Sequence, residues 1–428
     1  MKELKIEDII NLKVGGSVKI KKKLGEGGQG IVYLVDLNGK DYALKWYTKP
    51  VGKEFYNNLE NNIQKGAPTS AFLWPLYLTE TIDGHFGYLM ELRPSNYVEL
   101  SDFLIARARF GSVSAMINAA LCISNGFREL HYKGYSYQDL NDGNFFVNPQ
   151  TGDVLICDND NVAPYGKHLG IAGKSRYMAP EVVKGERKPN ADTDRFSLAV
   201  ILFLLFYNNH PLEGKTVVSV ACMTERNERI FYGVKPVFIY DPANETNRPV
   251  QGIHTNVIRR WNVFPAFIKE SFLNSFSTET MMTPEKRYGE SHWQKLFVRL
   301  RDVTVRCTCG GETFIDPDQA DNKCINCGKS LGKPLTLKTD TNRVVLFPGM
   351  KTSLCHTRTG NDDYKEITGE VIQNKNNPLI WGLKNLSPES WVIYMPDGTN
   401  KEIPANGVVQ ISKEVSIVFN GGKKGIIG

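Results

Sequence analysis

The sequence predicts an α+β chain with two unequal lobes, followed by a short cysteine-stapled module and a small all-β sandwich. Three observations predict it. Strand-like alternation fills residues 15–92 around one helical stretch near Phe55–Lys65, and helical periodicity dominates residues 93–300. Short β-branched runs such as VVQIS and VSIVF, parted by Pro, Gly and Asn turns, fill residues 335–428. Between these, residues 303–332 are Gly- and Cys-rich and too few to hold a core without a staple.

The composition is that of a globular protein, 41% hydrophobic and 23% charged, which excludes wholesale disorder. A net charge of +6 gives no case for nucleic-acid binding, and the densest basic run, Lys19 with Lys21–Lys23, reads as a solvated edge strand. The first residues show neither an apolar signal core nor a cleavage site. The longest apolar run, Leu198–Tyr207, falls far short of the ~20 residues a membrane span needs. The expectation is a soluble cytoplasmic protein with no membrane and no nucleic-acid partner.

In the second lobe Met116, Ala120, Ile123, Phe127 and Leu130 recur at alternating spacings of four and three, an amphipathic helix. Leu198–Tyr207 is apolar all round and marks a helix buried at the lobe's centre.

The first chemical signal is Gly25-Glu-Gly27-Gly-Gln-Gly30-Ile-Val32, between two strand-like segments. Glycines let a hairpin backbone approach phosphates closely, and the strand that follows favours a nucleotide clamp over a dinucleotide fold. Ala43-Leu44-Lys45 puts a lysine in an apolar strand, 13 residues after Val32, where it can reach phosphates if a helical carboxylate holds it. Glu60, at mid-helix in FYNNLENNI, is the candidate partner, with Glu54 as the alternative. The third signal is Asp139-Leu-Asn141-Asp-Gly-Asn144, followed at the next strand end by Asp158-Asn159-Asp160. One carboxylate there orients an attacking hydroxyl, while an amide and a second carboxylate hold divalent metal on the phosphates. Two Asp/Asn-rich turns would explain each piece separately, but not the order and spacing of all of them.

These residues resemble the eukaryotic-type protein kinase family over about residues 15–300. Gly173-Lys-Ser-Arg-Tyr-Met-Ala179-Pro180-Glu181, Asp194-Arg-Phe-Ser, His210-Pro-Leu and Pro284-Glu-Lys-Arg287 supply further landmarks. The resemblance implies ATP and Mg²⁺ (or Mn²⁺). Gly25, Gly27 and Gly30 would cover the phosphates, and Val32, Ala43, Met90 and Phe146 would line the adenine pocket. The backbone of Glu91 to Arg93 would meet the base, with Met90 as gatekeeper. It further implies a Lys45–Glu60 pair, Asp139 as catalytic base, and Asn144 and Asp158 as metal ligands. Glu181 and Arg287 would form a buried ion pair, and Asp194 would hold the catalytic-loop backbone.

Several positions depart from the family pattern. Gln138 replaces the usual arginine, so a phosphorylated activation loop lacks its charge partner. Asn159 and Asp160 replace Phe-Gly, and Asp160 could add charge to the metal site. Asn141 replaces the lysine that contacts the γ-phosphate; Lys174 is the candidate to supply that charge from the activation segment. Two alternatives stay open: a nucleotide-binding pseudokinase scaffold, and a small-molecule phosphotransferase of the aminoglycoside or choline type. The Ala179-Pro180-Glu181 segment and Asp194 argue against the second.

Cys307-x-Cys309 and Cys324-x-x-Cys327, separated by 14 residues, suit a tetrahedral structural Zn²⁺ with no open position for catalysis. The tail, with Gly382-Leu-Lys-Asn385 and Trp391-Val-Ile-Tyr, loosely resembles a forkhead-associated β-sandwich. It lacks that family's phosphothreonine-reading Gly-Arg and Ser-x-x-His in order, which favours a protein-contact or packing module. The whole layout resembles bacterial kinases of the tellurite-resistance and stress type. That context implies a protein substrate and, as partners, a von Willebrand A-type protein and a metal-dependent protein phosphatase.

Overall fold

The computed structural model describes residues 3–170 and 173–428. The chain forms two compact units. One comprises the chain up to Gly111, Asn118–Val263 and Lys269–Trp293; the other comprises Ser112–Ile117, Phe264–Ile268 and Gln294–Gly428.

The first unit opens with strands β1 (Ile9–Asn11), β2 (Ser17–Glu26), β3 (Gly30–Leu37) and β4 (Lys40–Tyr47), then helix α1 (Lys53–Lys65) and strands β5 (Tyr77–Leu78) and β6 (Gly87–Glu91). They form one antiparallel sheet in the order β1-β2-β3-β4-β6-β5. The chain just past β1 closes this sheet on itself. Leu12 bridges Thr79, and the Lys13 and Glu80 amides donate to Leu78 and Asn11 carbonyls. Alternate residues Val18 and Ile20, Ile31, Tyr33 and Val35, and Leu44 and Trp46 face one buried core, the period-two pattern of strands. The intervening lysines point outward. Lys19, Lys21 and Lys23 each pair with a surface carboxylate, so the basic run is a solvated strand face.

The helix-rich part is built on two segments. Helix Val113–Tyr132 buries Met116, Ala120, Ile123, Phe127 and Leu130 along one stripe. Helix Ala191–Tyr207 is buried on every side, with Phe203 ringed by Phe238, Phe272 and Phe276. Its start is fixed by a capping box, in which the Asn190 side chain accepts from the amides of Asp192 and Thr193. Among the described residues no helix is long and apolar enough to cross a membrane.

The longest stretch of the second unit starts at Gln294 within helix Glu290–Asp302 and continues into two small hairpins, Thr304–Arg306 with Glu312–Phe314 and Asn322–Lys323 with Ser330–Gly332. Each hairpin carries one cysteine pair. The Glu312 carboxylate accepts from both the amide and the hydroxyl of Ser114. The tail is two sheets. One runs Arg343–Val345, Thr336–Lys338, Lys424–Ile427, Ser416–Val418, Trp391–Tyr394, Asn400–Ile403; the other runs Lys351–Ser353, Ile367–Gln373, Trp381–Asn385, Val408–Gln410. They face each other across a core of Leu337, Val371, Leu383, Trp391 and Ile417. Gly369 in one sheet leaves the room that the Trp391 indole of the other occupies, since a Cβ there would lie 3.0 Å from the ring.

A Ser-x-x-His spacing does occur in the tail, at Ser353 and His356, but both residues are fully buried. His356 Nε2 lies 3.0 Å from the Asp302 carboxylate, and Cys355 and Ser353 flank its Nδ1. The Ser353 amide donates to Nδ1 at 2.9 Å, so Nδ1 carries no proton and the neutral ring donates from Nε2 to Asp302. His356→Ala, which strips partners from the buried Asp302 carboxylate and the Ser353 amide together, is expected to lower the unfolding temperature, and an unchanged unfolding temperature would remove this cluster from the support of the fold.

Candidate active site

The β2–β3 hairpin carries the glycines, with Gly25 near the end of β2, Gly27 in the loop and Gly30 opening β3. Gly30 is required by the sheet itself, because a Cβ there would sit 2.1 Å from the Trp46 carbonyl oxygen of β4. At Gly25 and Gly27 an added Cβ would meet nothing, so those glycines leave open space beneath the loop. Strand register then sets the pocket wall. Val32 on β3 lies opposite Lys45 on β4, and Ala43 on β4 opposite Met90 on β6. Ala43 and Met90 are buried together, with Val32 packed against them. Beyond β6, the Arg93 guanidinium covers the Phe146 ring at 4.1 Å and donates to the Tyr97 carbonyl. The Glu91 side chain turns outward to Lys40. Phe146 is the half-buried residue of strand Phe145–Val147, whose neighbours Phe145 and Val147 point into the core.

Lys45 is buried, and its partner is not the one expected. Glu60 lies on the far side of α1 in an ion pair with Lys13, and Glu54 is exposed in the helix's first turn. The buried face of α1 is Phe55, Asn58, Leu59 and Asn62. Turning Glu60 inward would expose Phe55 and Leu59, at about 1.5–3 kcal/mol for each side chain. Lys45 instead meets Asp160 at 2.8 Å and Asp158 at 3.4 Å. Burial disfavours its ammonium form, but the two carboxylates, Asp160 foremost, hold its pKa above the ordinary value. Asp160 is fully buried and also accepts from the Tyr47 hydroxyl, so its charge is spent on Lys45 and not on an open metal site.

The segment around it is held by amides where an aromatic plug was absent from the sequence. Asn159 Nδ2 donates to the Leu73 and Ile156 carbonyls, and Asn58 and Asn62 both donate to Val162 O. Asp158 takes a left-handed conformation, φ +53°, and leaves its carboxylate half exposed in the cleft.

The catalytic-loop candidates lie in one turn. Asn141 N donates to Asn144 Oδ1, and Asn141 Oδ1 accepts from Gly143 N. Asp139 is half-buried, with Asn141 Nδ2 at 3.5 Å from Oδ1. Desolvation, then the negative charge of Asp158, raise its pKa; Lys174 and Asn141 oppose the rise. Lys174 Nζ donates to Asn141 Oδ1 at 3.0 Å, which sets a cation beside the candidate base. Gly173 passes so close that a Cβ would lie 3.0 Å from Asp139 Oδ1. The loop is anchored from below by Asp194, which accepts from the amides of Tyr137 and Gln138. Glu181 and Arg287 form a bidentate pair at 2.8 and 2.7 Å. The Gln138 amide, in place of a cation, donates to Lys167 O and ties down the following segment with an uncharged bond.

Sequence reasoning missed Asp160 and Tyr47 as partners of Lys45. The signal available was partial: it bears on Tyr47 and against Glu60, and does not single out Asp160. Residues 45 and 47 share one face of a strand, whereas Glu60 stands about 200° around the helix from Asn58.

In the second unit the four thiols of Cys307, Cys309, Cys324 and Cys327 lie within 4.8 Å of one another. Cys307–Cys327 and Cys309–Cys324 sulfurs are each 3.8 Å apart. A tetrahedron with Zn–S of ~2.3 Å has edges of ~3.8 Å, so the donor set fits zinc in both chemistry and size.

A glycine-rich hairpin, a buried lysine paired with two carboxylates, and an Asp139–Asn144 turn with Lys174 beside it form the arrangement of a phosphotransferase. The chain belongs to the protein kinase family, whose protein kinase domain matches residues 18–273. It is 29% identical over 204 residues to the protein kinase C delta type of Mus musculus, covering 45% of this chain and 30% of that protein. It is 27% identical over 257 residues to the serine/threonine-protein kinase nrc-2 of Neurospora crassa, covering 48% and 38%. A probable serine/threonine-protein kinase of Zea mays, CCRP1, is 29% identical over 133 residues, 30% and 21%. The alignments thus span about a fifth to two fifths of these relatives' lengths.

Proposed function

We propose that the protein transfers the γ-phosphoryl group of ATP to a protein hydroxyl, serine or threonine in preference to tyrosine. The observation that carries this reading is the convergence of Lys45, Asp158 and Asp139 on one cleft, with Asn144 in the turn beside them. Asn144 and Asp158 would hold Mg²⁺ or Mn²⁺, which neutralises phosphate charge. Asp139 orients the acceptor hydroxyl and takes its proton as the new O–P bond forms and the bond to the leaving ADP breaks. Lys174 supplies the positive charge that Asn141 lacks, from the other side of the loop. Because Gln138 offers no charge to a phosphate, transfer needs no phosphorylated activation segment. The likeness to bacterial stress kinases extends the reading to a stress-signalling role, with a von Willebrand A-type protein and a metal-dependent phosphatase as partners.

The test is incubation with γ-labelled ATP and Mg²⁺, followed by phosphoamino-acid analysis. Label on serine or threonine supports the reading; label only on small acceptors, or none anywhere, rejects it. Lys174→Ala is expected to lower kcat by ~10- to 1000-fold, the scale of one such electrostatic donor, and an unchanged kcat would remove Lys174 from the mechanism.

A further inference from the structure

In a kinase cleft the phosphate-binding lysine needs an anionic partner to hold its ammonium in place, and the sequence offers that partner on α1. The structure puts none there. The residues α1 turns toward the cleft are Asn58 and Asn62, both neutral, and both are engaged with Val162 O at 2.8 Å. Glu60 is held on the opposite side by Lys13, from the segment that closes the β-sheet. The carboxylate has instead moved to Asp160, two residues past the metal-ligand candidate Asp158. Both Asp160 oxygens reach Lys45 Nζ, at 2.8 and 3.1 Å, and the Tyr47 hydroxyl completes the set. All three side chains are at least nine-tenths buried.

We infer that Asp160 is the positioning residue for Lys45, replacing the helix carboxylate, and that the charge state of α1 plays no part in activation. This rests on the phosphotransferase reading and deepens it. Two consequences follow from the geometry. The lysine and the metal-holding segment become one rigid piece, because Asp158 and Asp160 are joined by a single short turn. Helix α1 is tied to that turn by two neutral hydrogen bonds, so its displacement would not make or break an ion pair at Lys45. A swing of α1 is then not the on–off device of this chain.

The test compares Asp160→Asn, Tyr47→Phe and Glu60→Gln in the full chain. ATP–Mg²⁺ binding is read as a thermal shift, and kcat and KM for ATP are read on a protein acceptor. Asp160→Asn is expected to raise the KM for ATP and lower kcat, each by tenfold or more. Tyr47→Phe should show a smaller change in the same direction. Glu60→Gln should stay within twofold of wild type in both. A purely structural Asp160 would lower the unfolding temperature while leaving the KM of the folded protein unchanged, and that result overturns the proposal. So does a tenfold loss in Glu60→Gln, a surface variant that tests the idea even if Asp160→Asn does not fold. If the wild type labels no protein, the kinase reading fails by itself. The binding arm still decides the inference, since at one ATP concentration the ATP-dependent shift must shrink as a tenfold or greater loss of affinity requires in Asp160→Asn and stay at the wild-type value in Glu60→Gln. Absence of any shift in the wild type overturns both.

Discussion

Asp139→Asn is expected to lower kcat by ~10²–10⁴-fold while leaving the KM for ATP nearly unchanged. The amide keeps the shape of the carboxylate and its hydrogen bond to Asn141, but it cannot accept the proton of the attacking hydroxyl. The effect falls on kcat because, in the proposed reaction, Asp139 meets the acceptor while Lys45 and the glycine loop would hold the nucleotide. The environment makes a second demand on the same experiment. Desolvation and the neighbouring charge of Asp158 raise the Asp139 pKa in the metal-free cleft, and a divalent cation on Asp158 would oppose that rise, so the expected result is an acid limb in wild-type activity that belongs to Asp139. The sign is fixed, since a base must be deprotonated to act. Asp139→Asn should abolish that acid limb from whatever residual rate survives. A loss smaller than threefold, with the limb intact, would mean another group takes the proton.

Removing zinc is expected to produce the largest structural effect. The two short hairpins that carry the thiols contribute few apolar residues, Val305, Ile315 and the half-buried Phe314 among them. A zinc ion held by the four thiolates would therefore supply most of their folding free energy, on the order of 10–16 kcal/mol for structural sites of this kind. Purified protein should contain about one zinc per chain, and Cys324→Ser or a strong chelator should unfold the hairpins. Their loss also frees Glu312 from Ser114, removing a cap worth about 1 kcal/mol from the start of helix Val113–Tyr132. Metal analysis and thermal unfolding with and without chelator check this. A metal-free protein with an unchanged unfolding profile would show four ordinary thiols.

Much of this is legible in the sequence, and for an identifiable reason. The glycine loop, the Asp139–Asn144 turn, the Ala179–Glu181 landmark and the cysteine pairs each lie within one short segment, where chemistry follows from residue type and spacing. The apolar stripe of helix Val113–Tyr132 and the all-round apolar helix Ala191–Tyr207 likewise show their burial as periodicity. Lys174 beside Asn141 was legible only as a charge missing from one segment and present in another.

The partner of Lys45 was not legible, because it depends on which of several carboxylates the fold brings near. Glu54, Glu60 and Asp160 are equivalent as residue types. Between them the decision was made by the apolar face of α1, which buries Phe55 and Leu59 and so turns Glu60 outward, and by the left-handed turn at Asp158, which carries Asp160 inward. The sequence by itself determined the family, the fold class and the residue types that each short motif offers. Only the tertiary structure decided which charges meet, because an ion pair between distant segments is set by helix rotation and burial, and neither is written in the spacing of the two residues.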